Sequence, residues 1–334
     1  MLSLFIYAFL ISVSILLIVI YLTHKYQLFM DISDSDKPQN YHETSTPRAG
    51  GIGILLGMML ILFMPFGFKF LPSILLAFIS GIFEDFHSSL SPRFRLFLQF
   101  IAALSAVFLT GSVVTYLGLG INMPYWLGTI FSVFAIVGMM NAINIIDGFN
   151  GLASGVILLI LSSFAFVAYQ NNDTNILMVI IIALGATSGF LLLNFPKGKI
   201  FLGDGGAYLL GFIVAMIGIF LASSYENVSP WYIIAIFIYP VWEVLFSIIR
   251  KTSMGKSPFS PDAYHLHMLI YRQLTKNNPL TSLFIVTSIS PFMLYATIVY
   301  NRSSTNIMIS MCFIVSYLLL YYHLYKKEGS QNIG

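Results

Sequence analysis

Runs of apolar residues long enough to cross the hydrocarbon of a bilayer as a helix, about 20 residues each, recur along almost the whole length of this chain. They lie near 2–22, 51–66, 70–84, 94–114, 125–143, 152–170, 176–194, 206–223, 231–249, 281–299 and 306–323. No water-soluble fold hides that much continuous apolar surface. The chain is 58% hydrophobic and 9% charged, against roughly 25% charged in a soluble globular domain. The expected fold class is therefore all-α, a polytopic membrane bundle of about eleven helices. Met1–Leu22 has no basic residue ahead of it and His24-Lys25 behind it. That polarity is opposite to a cleavable signal peptide and predicts a retained first helix with its N-terminus outside.

An outside N-terminus and eleven crossings assign a side to every loop, and the C-terminus falls in the cytoplasm. Fourteen of the 16 Lys and Arg residues then fall inside, with only Lys69 and Arg302 outside, as the positive-inside rule requires. Ten of the 13 acids and all six histidines share the inner side. Asp173 and Glu226 fall in outer loops, and Glu243 lies within the ninth apolar run. The lone cysteine, Cys312, excludes an intramolecular disulfide. No repeat or soluble domain interrupts the pattern. One catalytic domain over 1–334 is expected, its polar residues on inner segments 23–49, 84–95, 144–151, 194–206 and 250–279.

Five clusters on that inner side carry chemistry. The first holds His42 and then Thr46-Pro47-Arg48-Ala49-Gly50-Gly51. Free backbone N–H groups at a helix entry beside Arg48 suit an anion. The second is Glu84-Asp85, followed by Arg93 and Arg95. Adjacent carboxylates at the mouth of an apolar helix persist most easily beside a cation or where a proton is taken up. The third holds Asn141, Asn144, Asp147 and Asn150. A three-residue spacing puts Asn141, Asn144 and Asp147 on one helix face, and their oxygens suit magnesium rather than zinc. The fourth, Gly203-Asp204-Gly205-Gly206, sets one carboxylate where a metal-bound phosphate can come close. An ordinary Asp N-cap with flexible glycines is the plain alternative. The fifth, His265-Leu266-His267, lacks the ligands of a zinc site and reads as substrate recognition.

In this order, over roughly residues 36–270, the clusters resemble those of the polyprenyl-phosphate N-acetylhexosamine-1-phosphate transferases, also grouped as glycosyltransferase family 4. The layout is similar to the bacterial O-antigen branch. The resemblance implies a multi-pass enzyme of the bacterial inner membrane with a cytoplasmic active site. Its substrates would be a UDP-N-acetylhexosamine and a polyprenyl phosphate such as undecaprenyl phosphate, with UMP released. Its cofactor would be magnesium, with manganese an alternative. It implies Asp204 and Asn144 as metal ligands, and Glu84, Asp85, Asp147 and Asp204 as the catalytic acids. In the family, the first acid of the pair is often proposed to deprotonate or orient the lipid phosphate. Asp147 and Asn150 match positions near the nucleotide-sugar. Arg95 with Arg93 matches the pyrophosphate contact, His265 and His267 the histidine block, and His42 with Arg48 the first block.

Four departures are visible. Glu84 stands for the usual Asp, Asn150 for a frequent Asp, Met268 ends a shortened histidine run, and no Arg-Lys precedes His42. No nucleic-acid partner is expected, and the oligomeric state, a homodimer included, stays open. Two other classes compete. A transporter or flippase would use charges near the bilayer midplane, with Glu243 the main candidate. An inactive scaffold of the same pathway would have lost metal positions, yet Asp204, Asn144 and Asp85 are all present.

Overall fold

The computed structural model describes residues 1–26, 29, 46–64, 67–87, 91–257 and 263–331, without the side chains of 87 and 329–331. The chain is helical at each apolar run. The helices are α1 (Leu2–Tyr26), α2 (Gly50–Met58), α3 (Gly67–His87), α4 (Pro92–Thr110), α5 (Tyr125–Ile146), α6 (Leu152–Gln170), α7 (Thr174–Asn194), α8 (Gly203–Ser224), α9 (Pro230–Ile236), α10 (Ile238–Ser253), α11 (Leu266–Ile270), α12 (Asn278–Ile298) and α13 (Ser303–Gln331). Among the described residues, extended pairing is confined to two isolated bridges.

Among the described residues, nine helices are long and apolar enough to cross a membrane. The other two expected crossings differ from straight spans. The second run is nine residues of α2 continued by five of 3₁₀ helix, Met59–Phe63, about 24 Å in all against a core of about 30 Å. The ninth breaks between α9 and α10 with a 76° bend. Pro240 accounts for the break: it has no N–H for the Ile236 carbonyl, and its ring would clash with that group in a continuous helix. The fourth run was expected to reach 114 and stops at Thr110, where Gly111 takes a left-handed φ of 68° and closes the helix.

α8 is the central post. It packs against α2, α3, α5 and α6, and 89% of its apolar window is buried, against 17% for α1. The turns at its C-terminal end are tied by Tyr225 Oη donating to Asp173 and by Ser229 Oγ meeting Ser303 Oγ at 2.9 Å. Asp173 and Tyr225 thus stand at the end opposite the α8 N-terminus. That N-terminus is met by the end of α3, the start of α4, the end of α5 and the strand-like segment before α2, so four of the five polar clusters converge on it.

Candidate active site

The start of α8 has no local cap, because Leu202 precedes it without a capping side chain. Its orphan N–H groups are satisfied from another helix. Asp85, near the end of α3, accepts from the Asp204 and Gly205 N–H groups at 2.8 Å each. Two charge-assisted bonds to a helix N-terminus suit a carboxylate. The approach depends on Gly81, where an added Cβ would lie 2.4 Å from the Asp204 carbonyl carbon.

With its backbone held, the Asp204 side chain is free to gather partners from two more helices. Its Oδ2 accepts from Arg95 Nη1 of α4 at 2.8 Å, and its Oδ1 from Asn144 Nδ2 of α5 at 2.9 Å. Arg95 Nη1 also stands 4.0 Å from Glu84 Oε1, while Glu84 Oε2 is buried without a hydrogen-bond partner among the described residues. Asp147 caps the C-terminus of α5, just beyond Asn144. Its carboxyl is pushed up to about 7, first by burial and then by the Asp204 charge, with Arg48 opposing. Carboxylates crowded in this way bind a proton or a cation more tightly.

The neighbouring loops are fastened by amides. Asn194 accepts the Gly151 N–H at 2.6 Å and donates to the Ile200 carbonyl at 2.8 Å. Asn150 donates from Nδ2 to the Pro196 carbonyl at 3.0 Å, and its own N–H goes to Asn278 Oδ1 at 2.8 Å. Beside them, the Gly50 and Gly51 N–H groups donate to the Phe201 and Leu202 carbonyls at 2.8 and 3.0 Å. This corrects the expectation of free N–H groups at that helix entry. What the segment presents to the cavity is the Arg48 side chain, which lines it.

That cavity, about 370 Å³, is walled by Arg48, Asn144, Asp147, Asn150, Asp204 and the two histidines among others. His265 and His267 stack at 5.3 Å with nearly parallel rings. Behind them stands Glu243 of α10, 1% exposed. Its Oε2 lies 3.1 Å from His265 Nδ1, and its Oε1 accepts the Leu266 N–H at 3.2 Å. Glu243 is therefore bound to the histidine segment rather than standing alone as a midplane charge. Its register in an apolar run was the one signal available in the sequence.

Two expected residues are not brought in, and a third cannot be placed. Arg93 is exposed and outside the cavity wall. Asn141 donates to Gln99 Oε1 at 2.7 Å and to the Val137 carbonyl at 2.8 Å, away from Asp204. His42 lies outside the described residues, as do Pro258–Asp262 of the fifth cluster.

The donor set fits magnesium. It consists of hard oxygens from Asp204 and Asn144, whose Nδ2 is spent on Asp204 while Oδ1 is left over. Among the described residues, no three His, Cys, Asp or Glu groups form a metal cage. Magnesium is commonly held by one or two carboxylates together with water and substrate phosphates.

Residues 67–222 match the model of glycosyl transferase family 4, a stretch that contains Glu84, Arg95, Asn144 and Asp204. The chain is 30% identical over 252 residues to an undecaprenyl-phosphate alpha-N-acetylglucosaminyl 1-phosphate transferase of Thermotoga maritima, spanning 74% of this chain and 75% of that one. It is 28% identical over 278 residues to a probable undecaprenyl-phosphate N-acetylglucosaminyl 1-phosphate transferase of Bacillus subtilis, spanning 78% and 75%. It is also 28% identical over 235 residues to a phospho-N-acetylmuramoyl-pentapeptide-transferase of Streptococcus agalactiae, spanning 67% of each.

Proposed function

Because the chain belongs to glycosyl transferase family 4, we propose that it transfers N-acetylhexosamine 1-phosphate from a UDP-sugar to a polyprenyl phosphate. A phosphate oxygen of the lipid attacks the β-phosphorus of the donor, the bond to the bridging oxygen breaks, and UMP leaves. The observation that carries this reading is the Asp204 constellation: one carboxylate on the most buried of the long apolar helices, held between Arg95 and Asn144 at 2.8 and 2.9 Å. It opens on a cavity of nucleotide-sugar scale at the end of an apolar bundle.

In this reading Arg48 and Arg95 bind the pyrophosphate and stabilise charge as it develops. Glu84, beside Arg95, orients the acceptor phosphate or takes its proton. Asp147 and Asn150 face the donor with His265 and His267. Asp204 and Asn144 would hold magnesium, which when bound supplies Lewis-acid stabilisation of the pyrophosphate. Asp85 has both oxygens on backbone N–H groups, which supports direct displacement over a covalent enzyme intermediate at that residue. The concentration of basic residues on one side of the apolar runs supports a cytoplasmic site in a bacterial inner membrane. Transport draws no support from Glu243, since that carboxylate is engaged by His265 and Leu266.

The test is UMP release by purified protein in detergent, given undecaprenyl phosphate, magnesium and a panel of UDP-N-acetylhexosamines. Lipid-dependent release that disappears in Asp204→Ala is expected. No release with any donor, from folded protein, would overturn the reading.

A further inference from the structure

A carboxylate buried as deeply as Glu243 persists only with its lone pairs filled and a countercharge at hand. The two oxygens are filled by His265 Nδ1 and the Leu266 N–H. The Tyr239 and Tyr317 hydroxyls face the same group from α10 and α13. Two histidines are candidates for the countercharge, and they differ. His267 Nδ1 is 3.9 Å away, too far to share a proton, and the residue is fully buried. Burial drives its imidazole down to about 4 against the opposing pull of the Glu243 charge, with His265 and Arg272 adding to the lowering, so it is neutral near pH 7. His265 Nδ1 is in bonding distance at 3.1 Å, and the residue lines the cavity. With Nδ1 committed to Glu243, the ring nitrogen left for the cavity is Nε2.

We propose that Glu243 is a positioning residue that holds His265 as an imidazolium, making its Nε2–H a fixed cationic donor to the phosphate oxygens of the nucleotide-sugar. The identity of that anion rests on the transferase reading above. The arrangement gives the donor phosphates a third cation beside Arg48 and Arg95, oriented by a buried acid rather than carried on a flexible arm.

The test compares wild type with Glu243→Gln, which keeps the shape and an acceptor oxygen but removes the negative charge. The expected loss in kcat/KM for the UDP-sugar is about 10–100-fold. The alkaline limb of the pH profile should differ between wild type and Glu243→Gln. Glu243→Asp should recover part of the rate, and Glu243→Gln should cost nothing further in a His265→Gln background. Wild-type kcat/KM with an unmoved limb, or losses that add, would overturn the proposal.

If wild type turns over no UDP-sugar, the transferase reading fails and a second measurement decides the proposal separately. Nitrogen-15 histidine spectra of the wild-type protein, with His265 assigned by its Gln variant, should show both His265 ring nitrogens protonated near neutral pH. A single protonated nitrogen overturns it, whether or not Glu243→Gln folds.

Discussion

Asp85 caps the helix that presents Asp204, taking the Asp204 and Gly205 N–H groups at 2.8 Å each. In the proposed reaction the two acids therefore divide between holding and acting, although the family resemblance implies both as catalytic. An Asn at 85 can accept only through its oxygen, so one buried N–H of α8 is left facing an amide NH₂. Asp85→Asn should lose about 1–3 kcal/mol of stability, seen as a lower melting temperature in detergent. Asp204→Asn gives up the ion pair with Arg95 but relieves the repulsion of Asp147, opposing effects that should leave its melting temperature closer to wild type than that of Asp85→Asn. Its transfer rate should nevertheless fall at least about 100-fold. The opposite pattern in the two variants would exchange their roles.

Gly81 sets how closely α3 approaches α8. Ala there would put its Cβ within 2.4 Å of the Asp204 carbonyl carbon and 2.5 Å of the Gly205 nitrogen. Those are backbone atoms, so the helices must part. Gly81→Ala should cost about 1–3 kcal/mol and, by shifting Asp204, reduce turnover about 100-fold. Normal turnover with normal melting would show that the α3–α8 spacing is not critical.

His267 predicts an acid limit to stability. Burial lowers its imidazole from the ordinary 6.5 to about 4. The unfolded chain therefore takes up a proton in this interval before the folded chain does, and stability falls as pH drops from 6.5 towards 4. The full loss is about 3 kcal/mol. Melting curves across this range should fall more steeply for wild type than for His267→Gln. Parallel curves would contradict it.

Metal removal should stop transfer, and magnesium should restore it. In Asn144→Ala the magnesium concentration for half-maximal rate should rise at least about tenfold, while the melting temperature changes little because Asn144 is only half-buried. Full activity with chelator present would exclude the assignment of Asp204 and Asn144 as ligands.

Much of this architecture was readable from residue order because a bilayer leaves the backbone few alternatives. Apolar run length located every helix except the short α11 and the split of the ninth run into α9 and α10, and the polar clusters between runs named most of the cavity. What escaped were pairings between distant positions. Asp85 as the cap of α8, Asn141 turned to Gln99, and the Phe201 and Leu202 carbonyls on the Gly50 and Gly51 N–H groups all join residues more than 40 positions apart. Nothing local distinguishes Asn141 from Asn144, one helical turn away. Only the neighbour across the helix interface does. The bend at α9–α10 was written in Pro240, but its use, bringing Glu243 to His265, depended on where the 263–267 segment folds back.

The near-complete burial of α8 has a consequence for how this chain tolerates change. On α1, where few side chains are buried in the bundle, one apolar residue should replace another at many positions, and tolerance should rise and fall with the helical repeat. α8 has almost no lipid-facing positions, so that rhythm should vanish. A saturation library would find its turns uniformly intolerant of bulk, a hydrophobic helix as constrained as a soluble core although it sits in a membrane bundle.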